Sequence, residues 1–331
     1  MKGKHNFTAQ YFNMKQIIVA VDFSDSSLHA AYYAAEIALR LKKDITLIHV
    51  MEIPINPFQV PLTELEFTEI ESAVKEELED LRQQLVKRTN NKIIISKELR
   101  YGIIGQELEK LSKEINPFAI VMGVATGGKR IRLFLGSNTF RLMHDADYPV
   151  LIIPERTLFK PLQKIAIASD LFETYPVRPL NFIKEWLKAL SPQCDIVFVE
   201  PDQKSSSKFL PETNRLQKAF GEFNPKFHFI DAANVDAGII NFIEEKKPDM
   251  LVVLPQNHRL FSSLFHTSIS RKLVLHTHLP VLSLAVKYAD DNAESGNIHD
   301  EEVEHDCSVC SGACRKESVA RKAFDQSHTV E

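Results

Sequence analysis

The chain has no apolar run that approaches the roughly 20 residues a membrane-spanning helix needs. Its first residues, Met-Lys-Gly-Lys-His-Asn, are not followed by the hydrophobic core of a secretory signal. The formal net charge of −4 gives no global reason to expect binding to nucleic acid. These absences predict a cytoplasmic protein that binds neither membrane nor nucleic acid.

Cysteine is also scarce, with four residues in the 331 of the chain. Three of them, Cys307, Cys310 and Cys314, follow His305 in an acidic, polar tail that is predicted to be disordered. Thiolates and imidazole suit zinc, so these four side chains could form a metal site. Their spacing is tighter than that of separated zinc knuckles. An iron–sulfur site, a redox thiol cluster and incidental thiols are the alternatives. Cys194 lies beside a predicted strand and is interpreted as core packing.

The length of the chain suggests about two domains, and the second half repeats the first. Segments 15–22 and 163–170 are both strand-like and both end on an aspartate before a helical stretch. One constant offset relates three further pairs: Pro117 and Pro248, Ser137 and Ser268, Pro149 and Pro280. Chance similarity seldom keeps one offset, so the pattern predicts an internal duplication. The predicted divisions are an extension at 1–13, a domain at 14–155, a linker at 156–162, a domain at 163–287 and a tail at 288–331.

Strand-like and helix-like segments alternate along both halves. In the first half, strands are predicted at 17–22, 45–50, 92–98, 118–122 and 150–153, and helices at 26–41, 63–87, 105–114 and 138–144. In the second half, strands are predicted at 165–168, 196–199, 227–230, 250–254 and 281–284, with a shortened helix at 211–223. Alternation of this kind predicts a five-stranded parallel sheet in each half, with helices on both faces. The last strand of each half is an edge candidate that needs a partner.

A glycine-containing segment after the fourth predicted strand is the strongest functional signal. Glycine allows backbone N–H groups to approach an anion, and a helix N-terminus adds donors and a positive dipole end. The candidate residues are Gly123, Thr126, Gly127, Lys129, Gly136, Ser137 and Asn138. Asp22 and Val50 lie at the ends of the first two strands, where open parallel sheets bind ligands. As alternatives, Asp22 could be a turn former or helix cap, the nearby cations an ordinary solvated loop, and Ser137 a cap.

These segments resemble the universal stress protein family, in a tandem form that covers roughly residues 14–287. The resemblance implies two flavodoxin-like domains, also described as adenine nucleotide alpha hydrolase-like. Its nucleotide-binding members carry Gly-x2-Gly-x9-Gly-Ser/Thr after the fourth strand. Carried over, the resemblance implies Asp22 and Val50 at the adenine, and Gly123, Gly136 and Ser137 in the phosphate loop.

One position departs from that pattern, because the second glycine falls on Thr126 and Gly127 comes one residue later. Either the loop shifts locally or one phosphate contact is lost. The Thr126 hydroxyl could also take the place of a backbone approach. In the second half the constant offset places side chains where the first half has glycine: Leu254, His258 and Thr267. We therefore expect the second half to bind no nucleotide in this manner and to act as a pseudo-symmetric partner.

The sequence predicts a cytoplasmic regulatory or signalling module of the stress response. Its first domain is expected to bind ATP or a related adenine nucleotide, and Mg could accompany the nucleotide. Two alternatives are a ligand-free protein interaction module and a weak ATPase or autophosphorylating protein. The sequence assigns no catalytic residue. The two halves are expected to form an intramolecular pseudo-dimer, with a homodimer as a further possibility.

Overall fold

The computed structural model describes residues 16–52, 63–125, 148–168, 177–200, 210–232, 234–253 and 278–284, all within one compact unit. The strands are β1 Gln16–Ala20, β2 Asp44–Met51, β3 Ile95–Tyr101, β4 Ala119–Val124, β5 Val150–Pro154, β6 Lys164–Ala168, β7 Gln193–Glu200, β8 Lys226–Asp231, β9 Met250–Val253 and β10 Val281–Ser283. The helices are α1 Asp25–Leu41, α2 Glu64–Arg88, α3 Ile104–Ile115, α4 Val177–Leu190, α5 Leu210–Phe220 and α6 Val235–Lys246.

These strands form one ten-stranded sheet in the order β3-β2-β1-β4-β5-β10-β9-β6-β7-β8. Neighbours within β1–β5 are parallel, and so are neighbours within β6–β10. At the centre β5 and β10 run antiparallel, with Leu151 opposite Leu282. The two last strands therefore pair with each other. Because of this reversal, the carboxyl ends of β1–β4 and of β6–β9 lie at opposite edges of the sheet.

The repeat seen in the sequence recurs in the elements. The offset that carries Pro117 to Pro248 also carries the first residues of β3, α3, β4 and β5 onto those of β8, α6, β9 and β10. Both α3 and α6 end at a residue in the left-handed conformation, Asn116 and Lys247, each with a φ of 48°. The two halves thus share local geometry as well as order, while the boundaries of the two domains stay a prediction.

Helices cover both faces of the sheet, as the alternation predicts. One face packs against α1, α2, α4 and α5, and the other packs against α3 and α6. The face of α1 toward the sheet is made of small residues: Ala30, Ala31, Ala34, Ala35 and Ala38. Their size allows this helix to lie close to the strands.

Several predicted boundaries were wrong, and two of the differences have clear local reasons. The strand predicted at 92–98 begins at Ile95, because Asn90 and Asn91 take the left-handed conformation and form the turn after α2. The helix predicted at 211–223 ends at Phe220 and continues as a 3₁₀ turn over Gly221–Phe223. The helix predicted at 138–144 lies outside the described residues.

The predicted linker, residues 156–162, contacts both halves of the chain. Phe159 packs edge-on against Tyr33 of α1, with ring centroids 5.0 Å apart. The ammonium of Lys160 lies 2.5 Å from Oδ1 of Asp249, just before β9. Oδ2 of Asp249 accepts hydrogen bonds from the backbone N–H groups of Gln163 and Lys164, at 2.7 and 2.8 Å. A single carboxylate therefore anchors the end of the linker and the start of β6.

Replacement of Asp249 by asparagine is expected to lower the free energy of unfolding at pH 7 by about 2 kcal/mol, since charge-assisted hydrogen bonds are lost. Burial raises the pKa of Asp249, but the Lys160 ammonium and the two backbone N–H groups lower it more, to below the usual 3.8. This stabilisation is therefore present above that usual pKa and is lost as the pH falls through the lower, folded-state pKa.

Urea denaturation at pH 7 and pH 3 measures both effects of Asp249→Asn. The difference from wild type should be large at pH 7 and smaller at pH 3. Asp80→Asn, on the exposed side of α2, is the matched control and should change neither value. A difference that is equal at both pH values would contradict the assigned role of the Asp249 charge.

Candidate functional site

Three of the predicted site residues lie on neighbouring strands at one edge of the sheet. Asp22 follows β1 by two residues, Val50 is the penultimate residue of β2, and Gly123 is the penultimate residue of β4. Here β1 lies between β2 and β4. The chain continues from β1 to β2 on one side and returns to β4 on the other, so the strand order reverses beside Asp22. Such a switch point opens the crevice in which parallel sheets bind ligands.

Asp22 is held by the first turn of α1. Its Oδ1 accepts hydrogen bonds from the backbone N–H and the hydroxyl of Ser24, at 3.1 and 2.6 Å. Its own N–H donates to Oγ of Ser27 at 3.2 Å. Ser24 in turn caps α1 by accepting from the N–H of Ser27. Asp22 is therefore a turn former, as the alternative interpretation proposed, and in the described part of the chain its Oδ2 makes no hydrogen bond.

Gly123 is required by packing at this edge. A Cβ on Gly123 would lie 2.1 Å from the carbonyl oxygen of Ser26 and 2.8 Å from the backbone nitrogen of Ser27. The absence of a side chain therefore allows the first turn of α1 to rest on β4. This contact explains the glycine without a ligand, and a phosphate contact by Gly123 stays a prediction. Val50 lies on the other face of the sheet, against the core beneath α3.

Two aromatic residues that the sequence did not single out complete this edge. Phe23 and His49 stack with ring centroids 4.8 Å apart and an angle of 25° between the planes. His49 Nδ1 lies 2.9 Å from the carbonyl oxygen of Val21. His49 is a polar residue near the end of the apolar strand predicted at 45–50, and this position could have marked it as a candidate site residue.

The other predicted site residues lie outside the described residues: Thr126, Gly127, Lys129, Gly136, Ser137, Asn138, His305, Cys307, Cys310 and Cys314. The positions that replace the glycines in the second half, from Leu254 onward, also lie there. No group of three or more His, Cys, Asp or Glu side chains is arranged to hold a metal ion within the described ranges.

Cys194 is fully buried in β7, as its interpretation required. Burial and the neighbouring Asp195 raise the pKa of its thiol to about 12, so the thiol is neutral near pH 7.

Within the described part of the chain, none of the helices has the length and apolarity to cross a membrane.

Comparison with known proteins identifies the class of the first half. The first half is an open, doubly wound parallel α/β sheet with its crevice beside β1, of the class that includes flavodoxin-like folds. Residues 13–154 match the model of the universal stress protein family. A universal stress protein of Methanocaldococcus jannaschii is 28% identical over 140 residues, which are 42% of this chain and 81% of that protein. Through this segment, which is less than half of the chain, the protein is similar to universal stress proteins.

Two solved structures extend the comparison. A universal stress protein from Archaeoglobus fulgidus DSM 4304 is 17% identical with a TM-score of 0.65, and the alignment covers 83% of this chain and 99% of that one. The likeness in fold therefore extends beyond residue 154. A universal stress protein in complex with cAMP is 18% identical with a TM-score of 0.30, and the alignment covers 43% of this chain and 97% of that one.

Proposed function

We propose that the protein binds ATP or a related adenine nucleotide at the carboxyl edge of its first half and acts as a regulatory or signalling module of the stress response in the cytoplasm. The observation that supports the proposal is that Asp22, Val50 and Gly123 lie at the carboxyl ends of three neighbouring strands, beside the switch point between β1 and β4. The glycine-containing segment predicted to hold phosphates begins directly after β4, at this same edge.

The free carboxylate oxygen of Asp22 fits the amino group of an adenine. Oδ1 is occupied by Ser24, whereas Oδ2 can accept a hydrogen bond from a ligand. An ionised carboxylate accepts but does not donate, so it favours a base with an exocyclic amino donor. Val50 supplies apolar contact on the neighbouring strand. The resemblance assigns the phosphates, with Mg as their companion ion, to the segment that holds Lys129, Gly136 and Ser137, which lies outside the described residues.

We assign one such site to each chain. The second half lacks the glycines of the first, and the carboxyl ends of its strands lie at the opposite edge of the sheet. We propose that it serves as the partner of a pseudo-dimer, held through the β5–β10 pair. Zinc binding by the tail, a homodimer and slow ATP hydrolysis stay further predictions.

Asp22→Asn is expected to weaken the binding of Mg·ATP by about 10- to 100-fold, the loss of a charge-assisted hydrogen bond. Asparagine can keep Oδ1 toward Ser24 but places an amide donor where Oδ2 accepted. Isothermal titration measures the affinity, and Asp80→Asn on α2 is the matched control. Unchanged affinity in Asp22→Asn would remove Asp22 from the site. Lack of binding by the wild type would favour the ligand-free interaction module.

A further inference from the structure

The connection between β1 and α1 holds Asp22 in an unusual turn. Phe23, the next residue, takes the left-handed backbone conformation with a φ of 62°. A residue with a Cβ enters this region rarely, because the Cβ crowds the following carbonyl oxygen. Such residues persist where the surrounding contacts fix them, and they concentrate at functional sites. The contacts of this turn therefore decide how Asp22 is presented.

On the helix side, serines fix the turn. Ser24 donates to Asp22 Oδ1, and Ser27 accepts from the Asp22 N–H while its own hydroxyl donates to the Ser24 carbonyl at 3.0 Å. These bonds fix Oδ1 and the backbone of Asp22 relative to α1. These bonds do not contact Val21, which precedes Asp22 directly after β1, or the ring of Phe23. Another element holds those two groups.

On the strand side, that element is β2, where the carbonyl of Ile48 accepts the Val21 N–H at 2.9 Å and His49 contacts the Val21 carbonyl and the Phe23 ring. The carbonyl oxygen of Val21 can only accept a hydrogen bond, so Nδ1 of His49 donates to it at 2.9 Å. The same imidazole ring stacks on the ring of Phe23. One side chain thus holds the residue before Asp22 by a hydrogen bond and the residue after it by ring contact.

We propose that His49 is a positioning residue for the nucleotide site, which holds Val21 and Phe23 so that Asp22 keeps Oδ2 available to the ligand. This inference rests on the proposed function. It assigns to β2 a second contribution besides Val50, from the opposite face of the strand. His49 acts through Asp22 and need not touch the nucleotide.

Two variants separate the two contacts of His49. His49→Phe keeps a ring against Phe23 but cannot donate to Val21. His49→Asn keeps an N–H donor near the position of Nδ1 but removes the ring. By isothermal titration with Mg·ATP, His49→Phe is expected to bind about tenfold more weakly, the usual effect of one lost hydrogen bond. His49→Asn should recover part of that loss.

A destabilising control separates positioning from general loss of stability. His228 in β8 lies 3.1 Å from the buried carboxylate of Asp195, in the other half. His228→Asn should lower the melting temperature and leave ATP affinity at the wild-type value. His49→Phe should lower the affinity even where its melting temperature is no lower than that of His228→Asn.

The outcomes distinguish the inference from the proposed function. Wild-type affinity in both His49 variants, together with a loss in Asp22→Asn, would overturn the role of His49 and leave the nucleotide site intact. An equal loss in His228→Asn would also overturn it, because general destabilisation would then explain the effect. No binding by the wild type, or full binding by Asp22→Asn, removes the proposed site and this inference with it.

Discussion

Gly123→Ala is expected to lower the free energy of unfolding by about 3 kcal/mol, at the upper end of the cost of overpacking a core. The added methyl carbon would lie 2.1 Å from the carbonyl oxygen of Ser26 and 2.5 Å from its carbonyl carbon. These are backbone atoms in the first turn of α1, so no side chain can rotate out of the way. The helix must move or the strand must bend.

Movement of α1 would also disturb the candidate site. The hydrogen bonds of Asp22 go to Ser24 and Ser27, which lie in the same turn as the clash. We therefore expect Gly123→Ala to lose ATP affinity together with stability. If Gly123 only contacted phosphate, Gly123→Ala would weaken ATP binding and keep the wild-type free energy of unfolding.

Gly105→Ala is the matched control, because a Cβ at Gly105 in α3 would meet nothing within 4 Å. There the methyl group should stabilise the protein by about 0.5 kcal/mol, since alanine has less conformational freedom to lose in a helix. Urea denaturation of the two variants measures the contrast. Equal stability in Gly123→Ala and wild type would show that α1 and β4 can separate at no cost.

The order of elements in this fold could be predicted from the sequence because it depends on local periodicity. Apolar runs and amphipathic stripes identified the five strands and the three described helices of the first half, and the constant offset matches the order of elements in the second half. The common edge of Asp22, Val50 and Gly123 followed from the rule that parallel strands end on the same side. The predicted start of β3 was less accurate, because the consecutive residues Asn90 and Asn91 form a left-handed turn before it.

The contacts around the candidate site could not be predicted in this way. The sequence favoured a phosphate contact for Gly123, while the structure places the backbone of Ser26 against it. The stacking of Phe23 on His49 joins residues on two elements and depends on the left-handed turn between them. Such contacts depend on how β1, β2, β4 and α1 pack, which no single segment encodes.

Phe118→Ala is expected to lower the free energy of unfolding by about 4 kcal/mol, as large-to-small changes of buried aromatic residues do. Phe118 is fully buried just before β4. Its ring lies 4.6 Å from that of Phe182 and 6.2 Å from that of Trp186, both in α4 of the second half. The ammonium of Lys43 lies 4.3 Å from the centre of the same ring and 2.6 Å from the carboxylate of Glu185. Truncation therefore opens a cavity between the two halves.

The only tryptophan of the chain makes this prediction specific to the contact between halves. Fluorescence of Trp186 follows the second half, whereas the substitution lies in the first. If the halves unfold as one cooperative unit, Phe118→Ala lowers the urea midpoint of the fluorescence transition and of the circular dichroism transition together. Phe67→Ala, on the partly exposed start of α2, is the control and should cost less than about 1 kcal/mol.

A double-mutant cycle completes the test. Phe118 and Phe182 touch, so the effects of Phe118→Ala and Phe182→Ala should not add, and their coupling should reach about 1 kcal/mol. A fluorescence midpoint unchanged by Phe118→Ala, with a separate transition seen by circular dichroism, would show that the halves unfold independently. In that case the antiparallel pairing of β5 and β10 would join two domains of separate stability, and the buried aromatic cluster would contribute little to holding them together.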